Sequence, residues 1–150
     1  MADETNLLRV RLVTPERTLF DNSAATVELP AKNGYMEVLY GHAPLVAELG
    51  AGDVIVRGVK GESEGEAGSA ESVSRYNVSW GFAEVLGDRV TILASDALKP
   101  DEIDVPRAEQ QLERGNKEWN EAGDSEDAYT EALRVIAEAE AKIASAAEKQ

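Results

Sequence analysis

Residues suited to catalysis are few in this chain. It contains one histidine, His42, no cysteine, and no Gly-x-Ser-x-Gly sequence that would present a serine nucleophile. The glycine-rich phosphate loop, the Gly-x-Gly-x-x-Gly dinucleotide motif and the His-Glu-x-x-His zinc motif are also missing. His42 stands in a turn-like Gly-His-Ala-Pro stretch, where a lone imidazole is more often a structural or interface residue than a general base. The residue types therefore predict a protein that is not itself an enzyme.

An acidic segment at residues 61–73 is the second place to look for chemistry. Its carboxylates are glutamates separated by Gly, Ser and Ala, and the Asp-x-Asp-x-Asp-Gly spacing of a calcium loop is missing. The segment has almost nothing apolar to bury. We interpret it as a long, flexible hairpin loop and predict no metal site.

The charge balance excludes two classes of partner. The 150 residues include 29 Asp and Glu against 15 Lys and Arg, a net charge of −14. A polyanion is bound by a basic surface, so nucleic acid is excluded. The same argument excludes direct binding to an anionic membrane, and no run approaches the roughly 20 apolar residues of a membrane span. The first residues also lack the features of a signal or transit peptide.

The first two thirds of the sequence alternate as β-strands do. Leu8, Val10 and Leu12 alternate with arginines, residues 14–17 form a turn signal, and Gly-Asp at 87–88 indicates a hairpin turn. Further strands are predicted at residues 25–29 (stopping at Pro30), 54–56, 76–80, 82–85 and 90–93. We predict an antiparallel β-sandwich of two sheets over residues 1–99.

After Pro100 the apolar period becomes helical. Apolar residues recur every three, four or seven positions, at Val105, Ala108, Leu112 and Trp119, and then at Tyr129, Ala132, Ile136, Ala139, Ile143 and Ala146. Gly123 marks a helix end, and Asp124 or Ser125 marks the next start. We predict an α-helical hairpin over residues 100–150, giving an α+β chain. Its seams are narrow and rich in alanine, and Gly115 costs about 1 kcal/mol relative to Ala, so we expect a marginally stable hairpin.

Several segments resemble the epsilon subunit of the F-type ATP synthase. Each motif is short, but together they run in order over nearly the whole chain. They are Val-Thr-Pro-Glu-Arg at 13–17 followed by Leu19 and Phe20, residues 34–44 ending in Gly-His-Ala-Pro, residues 81–85, residues 90–97, and Ile-Asp-Val-Pro-Arg-Ala at 103–108.

The resemblance implies a rotor subunit of the central stalk. Its sandwich would dock on the gamma subunit and the c-ring, and its hairpin would extend toward the alpha and beta subunits and inhibit ATP hydrolysis. The membrane would be reached only through the complex, at the cytoplasmic face of a bacterial inner membrane, with the thylakoid stromal face as the alternative. The implied interface residues are Tyr35, Met36, Glu37, Gly41, His42, Ala43 and Pro44. Glu37 stands where the family has Gly, and Tyr40 stands where it has Pro.

Some family members bind ATP as a regulatory ligand on the folded hairpin. The matching positions here are Ile103, Asp104, Arg107 and Ala108, and Arg114 lies two turns further along the helix as another possible phosphate contact. The two arginines are seven positions apart on one helix flank, and guanidinium groups bind phosphate well. In the other interpretation these residues have structural roles only. Asp104 caps the helix by accepting from the Arg107 N–H, because Pro106 has no N–H. The arginines then pair with neighbouring glutamates.

Acidic residues argue for a weak regulatory role. The second helix offers Arg134 but also Glu138 and Glu140, whose carboxylates repel a triphosphate. Residues 101–150 hold 14 acidic and six basic residues, a net charge of −8, which disfavours docking on an acidic partner. We therefore expect weak ATP binding, reduced inhibition and no required cofactor.

The sequence pattern is also consistent with a different class of protein. An unrelated β-sandwich ligand-binding module with a coiled-coil tail would show the same change of period along its sequence. An adhesion domain of that kind is expected to carry a secretion signal, which this N-terminus does not resemble.

Overall fold

The computed structural model describes residues 6–61 and 72–148. They divide into two compact units, with the boundary between Ala97 and Leu98. Most of the acidic segment at 61–73 lies outside the described residues, so its interpretation as a loop stays a prediction. Among the helices of the described ranges, none is long and apolar enough to cross a membrane.

The first unit consists of seven β-strands joined by continuous hydrogen bonding in the order β2-β1-β7-β6-β5-β3-β4. Four of the strand pairs are antiparallel, whereas β1 and β7 pair in parallel. That parallel pair is an exception to the antiparallel arrangement expected from the sequence, and it joins strands from opposite ends of the unit. The strands are β1 Leu8–Val13, β2 Thr18–Ala24, β3 Thr26–Ala31, β4 Gly34–Leu39, β5 Leu45–Arg57, β6 Val73–Val85 and β7 Arg89–Leu98.

Side chains from all seven strands bury into one aliphatic core. In β1, Leu8, Val10 and Leu12 point inward and are fully buried, while Arg9 and Arg11 between them are exposed. Each such leucine contributes about 1.5–3 kcal/mol through its removal from water. A single core shared by all the strands confirms the predicted β-sandwich.

Two long strands carry the sheet from one layer of the sandwich to the other. In the first half of β6 the buried residues Tyr76 and Val78 have even numbers, whereas in the second half Ala83 and Val85 have odd numbers. Because side chains alternate along a strand, the face that turns toward the core changes between the two halves. The change occurs at Trp80, whose φ is +58°, next to Gly81 with φ +130°. The sequence predicted two separate strands here, and the structure instead has one strand with a sharp local twist.

The end of β3 also differs from the sequence expectation. The strand was expected to stop at Pro30, yet it continues through Pro30, which pairs with Tyr35 of β4. The register between β3 and β5 shifts between Glu28 and Ala31. A proline has no N–H to donate to a neighbouring strand, and such an irregularity accommodates it.

The second unit is a helical hairpin preceded by the 3₁₀ turn Pro100–Glu102. Helix α1 spans Val105–Glu121 and helix α2 spans Glu126–Ala147. Gly123, with φ +57°, follows α1 as the left-handed residue of a helix end, as predicted. Ser125 caps α2, its hydroxyl oxygen accepting from the Ala128 N–H at 3.2 Å. Of the two predicted start residues, Ser125 is therefore the cap.

The two helices meet through small residues. Ala108 and Gly115 of α1 are buried, as are Ala132, Val135 and Ala139 of α2. At the turn, Trp119 and Tyr129 pack with ring centroids 5.4 Å apart. The narrow, alanine-rich seam expected from the sequence is present.

Candidate functional site

The loop formed by residues 41–44 lies at one end of the sandwich. Gly41 has φ +90°, a backbone conformation that favours glycine, and its N–H donates to the Gly87 carbonyl at 2.7 Å. The His42 N–H donates to the Leu39 carbonyl at 3.1 Å, and the His42 Nδ1 lies 2.7 Å from the Ala43 carbonyl oxygen. Ala43 and Pro44 are exposed. Hydrogen bonds therefore fix the backbone of this loop, and its exposed residues face outward beside the β6–β7 turn.

Tyr35 lies at the other end of β4 from this loop. Its hydroxyl oxygen accepts from the Asp53 N–H at 3.1 Å, and its ring lies over Gly52, although 58% of the residue is exposed. With a rise of about 3.3 Å per strand residue, Tyr35 is roughly 13 Å from Leu39, the last residue of β4 before this loop. The interface residues expected from the sequence thus run along β4 from Tyr35 to the loop at residues 41–44.

Two other expected interface residues lie on β4 between Tyr35 and this loop. Met36 is partly buried and packs against the core of the sandwich. The Glu37 Oε2 lies 4.0 Å from the Arg57 Nη1, which also pairs with Glu28 at 3.7 Å. Tyr40 occupies the turn after β4. Glu37 therefore lies within β4, a regular edge strand that ends at Leu39, one residue before Tyr40.

The start of α1 has the cap geometry anticipated from Pro106. The Arg107 N–H donates to the Asp104 Oδ1 at 3.2 Å, which confirms the predicted bond. Ile103 is half-buried between the 3₁₀ turn and the helix, and Ala108 is buried in the helix seam. Asp104 and Ala108 therefore have structural roles whether or not a ligand binds here.

Arg107 and Arg114 lie on one flank of α1, about 10 Å apart along the helix axis. Both are exposed, and the Arg114 Nε lies 3.5 Å from the Glu118 Oε1. Between them on the same flank, the Gln111 side-chain amide donates to the Val135 carbonyl at 3.2 Å and to the Glu138 Oε2 at 3.4 Å.

Carboxylates therefore border the arginine flank on both helices. Glu118 contacts Arg114 directly, and Glu138 lies beside the connecting glutamine. An anion bound by the arginines would lie close to both carboxylates, which oppose it. Within the described residues, no group of three His, Cys, Asp or Glu side chains could hold a metal ion to offset that repulsion.

The sequence alone did not indicate that the β6–β7 turn contributes to the surface around residues 41–44. The sequence identified Gly87 and Asp88 as a hairpin turn, but their contact with residues 41–44 has no local signal, because 46 positions separate Gly41 from Gly87. The exposed apolar side chains of β5, β6 and β7 were missed as well. Each belongs to an alternating strand whose outward position is ordinarily polar.

Known proteins resemble this chain in sequence. The family model for the beta-sandwich domain of the ATP synthase Delta/Epsilon chain matches residues 7–100. An ATP synthase epsilon chain from Solibacter usitatus is 38% identical over 143 residues, covering 95% of this chain and 97% of that protein. A chloroplastic ATP synthase epsilon chain from Gracilaria tenuistipitata var. liui is 33% identical, covering 93% of this chain and 95% of that protein.

A solved structure shares the fold. A chain in the cryo-EM structure of the Euglena gracilis mitochondrial ATP synthase (OSCP/F1/c-ring) superposes with a TM-score of 0.73 at 22% identity, over 95% of this chain and 83% of that chain. The sequence matches extend through both units and remove the alternative of an unrelated ligand-binding sandwich. This chain belongs to the family of ATP synthase epsilon chains.

Proposed function

We propose that this chain is the epsilon subunit of an F-type ATP synthase, a non-catalytic subunit of the central stalk. It links the gamma subunit to the c-ring and turns with them during proton-driven ATP synthesis. The observation that carries this proposal is the 38% identity with a bacterial epsilon chain over 95% of this sequence. The order of a β-sandwich followed by a helical hairpin agrees with it.

The loop at residues 41–44 is the part of the sandwich best placed to meet the c-ring. Its backbone is fixed by the hydrogen bond from Gly41 to Gly87, so an exposed Ala43 and Pro44 are presented without ordering cost. Tyr35, Met36 and Glu37 form a second contact region along β4. With these contacts the subunit reaches the membrane only through the complex.

The complex to which the chain belongs is associated with a membrane. We place the subunit at the cytoplasmic face of a bacterial inner membrane. The relatives include bacterial and chloroplastic epsilon chains, so the thylakoid stromal face is the alternative. Fractionation of cells with an antibody against the chain distinguishes the two locations.

Regulation by the hairpin is a separate part of the proposal. In an extended form, α1 and α2 would reach the alpha and beta subunits and inhibit ATP hydrolysis. The net charge of −8 over residues 101–150 weakens attraction to an acidic partner, so we propose weak inhibition. Deleting residues 101–150 should raise the ATPase activity of the complex less than about twofold. A large increase would show that inhibition is strong.

ATP is proposed as a weak regulatory ligand of the hairpin. Arg107 and Arg114 would contact the phosphates, with Ile103, Asp104 and Ala108 shaping the helix start. The bordering carboxylates of Glu118 and Glu138 support a weak affinity. Isothermal titration of the purified chain with ATP tests this, and no heat at millimolar ATP would exclude the site.

Complementation tests the assembly role. Membrane vesicles from cells that lack this chain should lose coupling between ATP hydrolysis and proton pumping, and expression of the chain should restore it. Unchanged pumping in the deletion strain would exclude the role. A variant lacking residues 101–150 separates the two parts of the proposal, because it should restore coupling without the hairpin.

A further inference from the structure

The chain contains a single Asn-Gly sequence, at Asn33 and Gly34. Lys32 and Asn33 form the turn between β3, which ends at Ala31, and β4, which begins at Gly34. Lys32, Asn33 and Gly34 are all exposed. An asparagine before glycine is chemically labile, because the glycine nitrogen has no neighbouring side chain to shield it from the asparagine side-chain carbonyl carbon. The turn therefore combines a reactive pair of residues with access for water.

The structure leaves the Asn33 side chain free to rotate. Within residues 6–61 and 72–148, no hydrogen bond is made by the Asn33 carboxamide. The neighbouring Lys32 is fixed, since its N–H donates to the Glu48 carbonyl at 2.8 Å and its Nζ lies 3.2 Å from the Glu48 Oε1. Nothing lies within 4 Å of a Cβ built on Gly34. The carboxamide can therefore turn toward the Gly34 nitrogen without displacing a neighbour.

The backbone at Gly34 can also move. Ala31 and Gly34 are the last cross-strand pair of β3 and β4, and β4 stands at the end of the strand order. Gly34 has φ +135°, a conformation that glycine adopts readily. The end of an exposed hairpin opens locally at a low free energy, because few contacts are lost. Such openings bring the Gly34 nitrogen within reach of the Asn33 Cγ.

The other five asparagines lack this combination of features. Asn22 precedes Ser23 within β2, and its amide donates to the Lys60 carbonyl at 3.2 Å while its Oδ1 accepts from the Ser23 N–H at 2.8 Å. Asn77 is buried and donates to the Asp53 Oδ1 at 3.3 Å. The remaining three precede residues with long side chains, and they are Asn6, Asn116 and Asn120. The labile combination therefore occurs once, at the β3–β4 turn.

We propose that Asn33 is a modification site, which deamidates to aspartate and isoaspartate. The Gly34 nitrogen gives its proton to a base in solution and forms a bond to the Asn33 Cγ. The Cγ–Nδ2 bond breaks, and the nitrogen leaves as ammonia after taking up a proton from solvent. Water then hydrolyses the cyclic imide that joins the two residues. Opening at Cγ gives aspartate, whereas opening at the backbone carbonyl gives isoaspartate, and neither route needs an oxidant or a reductant.

The isoaspartate form should loosen the start of β4. It adds a methylene carbon to the backbone of a short turn, which disturbs the pairing of Ala31 with Gly34. Tyr35 follows directly, and its hydroxyl oxygen accepts from the Asp53 N–H at 3.1 Å. The aspartate form keeps the backbone length and adds only a carboxylate. The two products therefore carry the same charge but differ in their effect on β4.

The test follows the purified full-length chain during incubation at neutral and at mildly alkaline pH. Protease digestion and mass spectrometry measure deamidation in each asparagine-containing peptide, and chromatography separates aspartate from isoaspartate. We expect the Asn33 peptide to convert roughly tenfold faster than the Asn22 peptide, because Gly34 has no Cβ and the Asn22 amide is hydrogen-bonded. Conversion should be faster at the higher pH, since the attacking nitrogen must lose a proton.

N33Q is the matched control for the chemistry. It keeps a carboxamide in the turn but lengthens the side chain by a methylene group, so the cyclic imide would need a larger ring, and we expect no detectable conversion. Conversion of Asn33 and Asn22 at equal rates would overturn the proposal. An unchanged Asn33 peptide in the folded chain, with conversion in the urea-unfolded chain, would overturn it as well, because the turn would then protect the residue.

Hydrogen exchange tests the structural consequence. The isoaspartate form, isolated by chromatography, should exchange its amides faster over residues 34–39 than the natural chain does. N33D supplies the same charge without the added backbone carbon and should exchange like the natural chain. Equal exchange in the isoaspartate form and in N33D would overturn the loosening of β4. None of these results depends on the assignment of the chain as an epsilon subunit.

Discussion

Gly115 of α1 lies against Ile136 of α2, with no room for a side chain between them. A Cβ on Gly115 would come within 2.8 Å of the Ile136 Cγ1 and 3.1 Å of the Val135 Cγ1. In the sequence this glycine reads as an interruption that weakens α1. In the structure it also lets the two helices approach closely, one turn from the bond between Gln111 and the Val135 carbonyl.

Replacing Gly115 should loosen the hairpin. G115A gains up to about 1 kcal/mol of helix propensity, but the added methyl group must move α2, at a cost of about 1–3 kcal/mol. We expect faster amide hydrogen exchange across residues 105–147 and unchanged exchange in the sandwich. N116A is the matched control, because Asn116 is the exposed neighbour and its replacement improves propensity alone. Slower exchange in G115A than in N116A would contradict the close approach.

Gly81 should tolerate no side chain. Its φ of +130° is rare for other residues, and a Cβ would overlap the Leu93 carbonyl oxygen of the neighbouring strand. We expect G81A to lower the free energy of unfolding by about 3 kcal/mol or more in urea. The contrasting variant is G87A, because nothing lies within 4 Å of a Cβ at Gly87. Similar losses for the two variants would mean that the contact with β7 is not the cause.

The ion pair between Asp53 and Arg75 should contribute more to stability than an exposed pair. Asp53 Oδ2 lies 3.0 Å from Arg75 Nη1, and its Oδ1 accepts from the buried Asn77 amide at 3.3 Å. The side chain of Asp53 is 11% exposed, so D53A leaves two polar partners without it and should cost about 2–4 kcal/mol.

The matched variant for that ion pair is D88A. Asp88 pairs with Arg89 at 3.2 Å on an exposed turn, and such pairs contribute about 0–1 kcal/mol. Urea unfolding of both variants measures the difference. A loss for D53A as small as that for D88A would show that the Asp53 network contributes little.

Removing carboxylates should strengthen ATP binding by the hairpin. E118Q releases Arg114 from its partner, and E138Q removes a negative charge beside Gln111. We expect each variant to raise the affinity for ATP severalfold by calorimetry, and R107A to lower it. If R107A binds ATP as the natural chain does, the phosphates are not held by this flank.

Local patterns in the sequence were enough to predict both architectures. The alternation of Leu8, Val10 and Leu12 predicted an inward face. The residue type of Asp104 predicted the helix cap, and the missing N–H of Pro106 predicted Arg107 as its donor. These features depend on residues within one or two turns of each other. For the same reason the sequence located Gly123 and Ser125 at the hairpin turn.

Contacts between distant segments could not be predicted in this way. Three contacts join residues far apart in sequence. They are the parallel pairing of β1 with β7, the hydrogen bond from the Gly41 N–H to the Gly87 carbonyl, and the close approach of Gly81 to the Leu93 carbonyl oxygen.

Assembly of this chain into an ATP synthase is tested by affinity purification of the chain from detergent-solubilised membranes of cells that produce it. We expect alpha, beta, gamma and c subunits to be recovered with the chain in the proportions of an assembled ATP synthase. Recovery of the chain without gamma or c subunits, from membranes in which the synthase itself is intact, would exclude the chain as a stalk subunit.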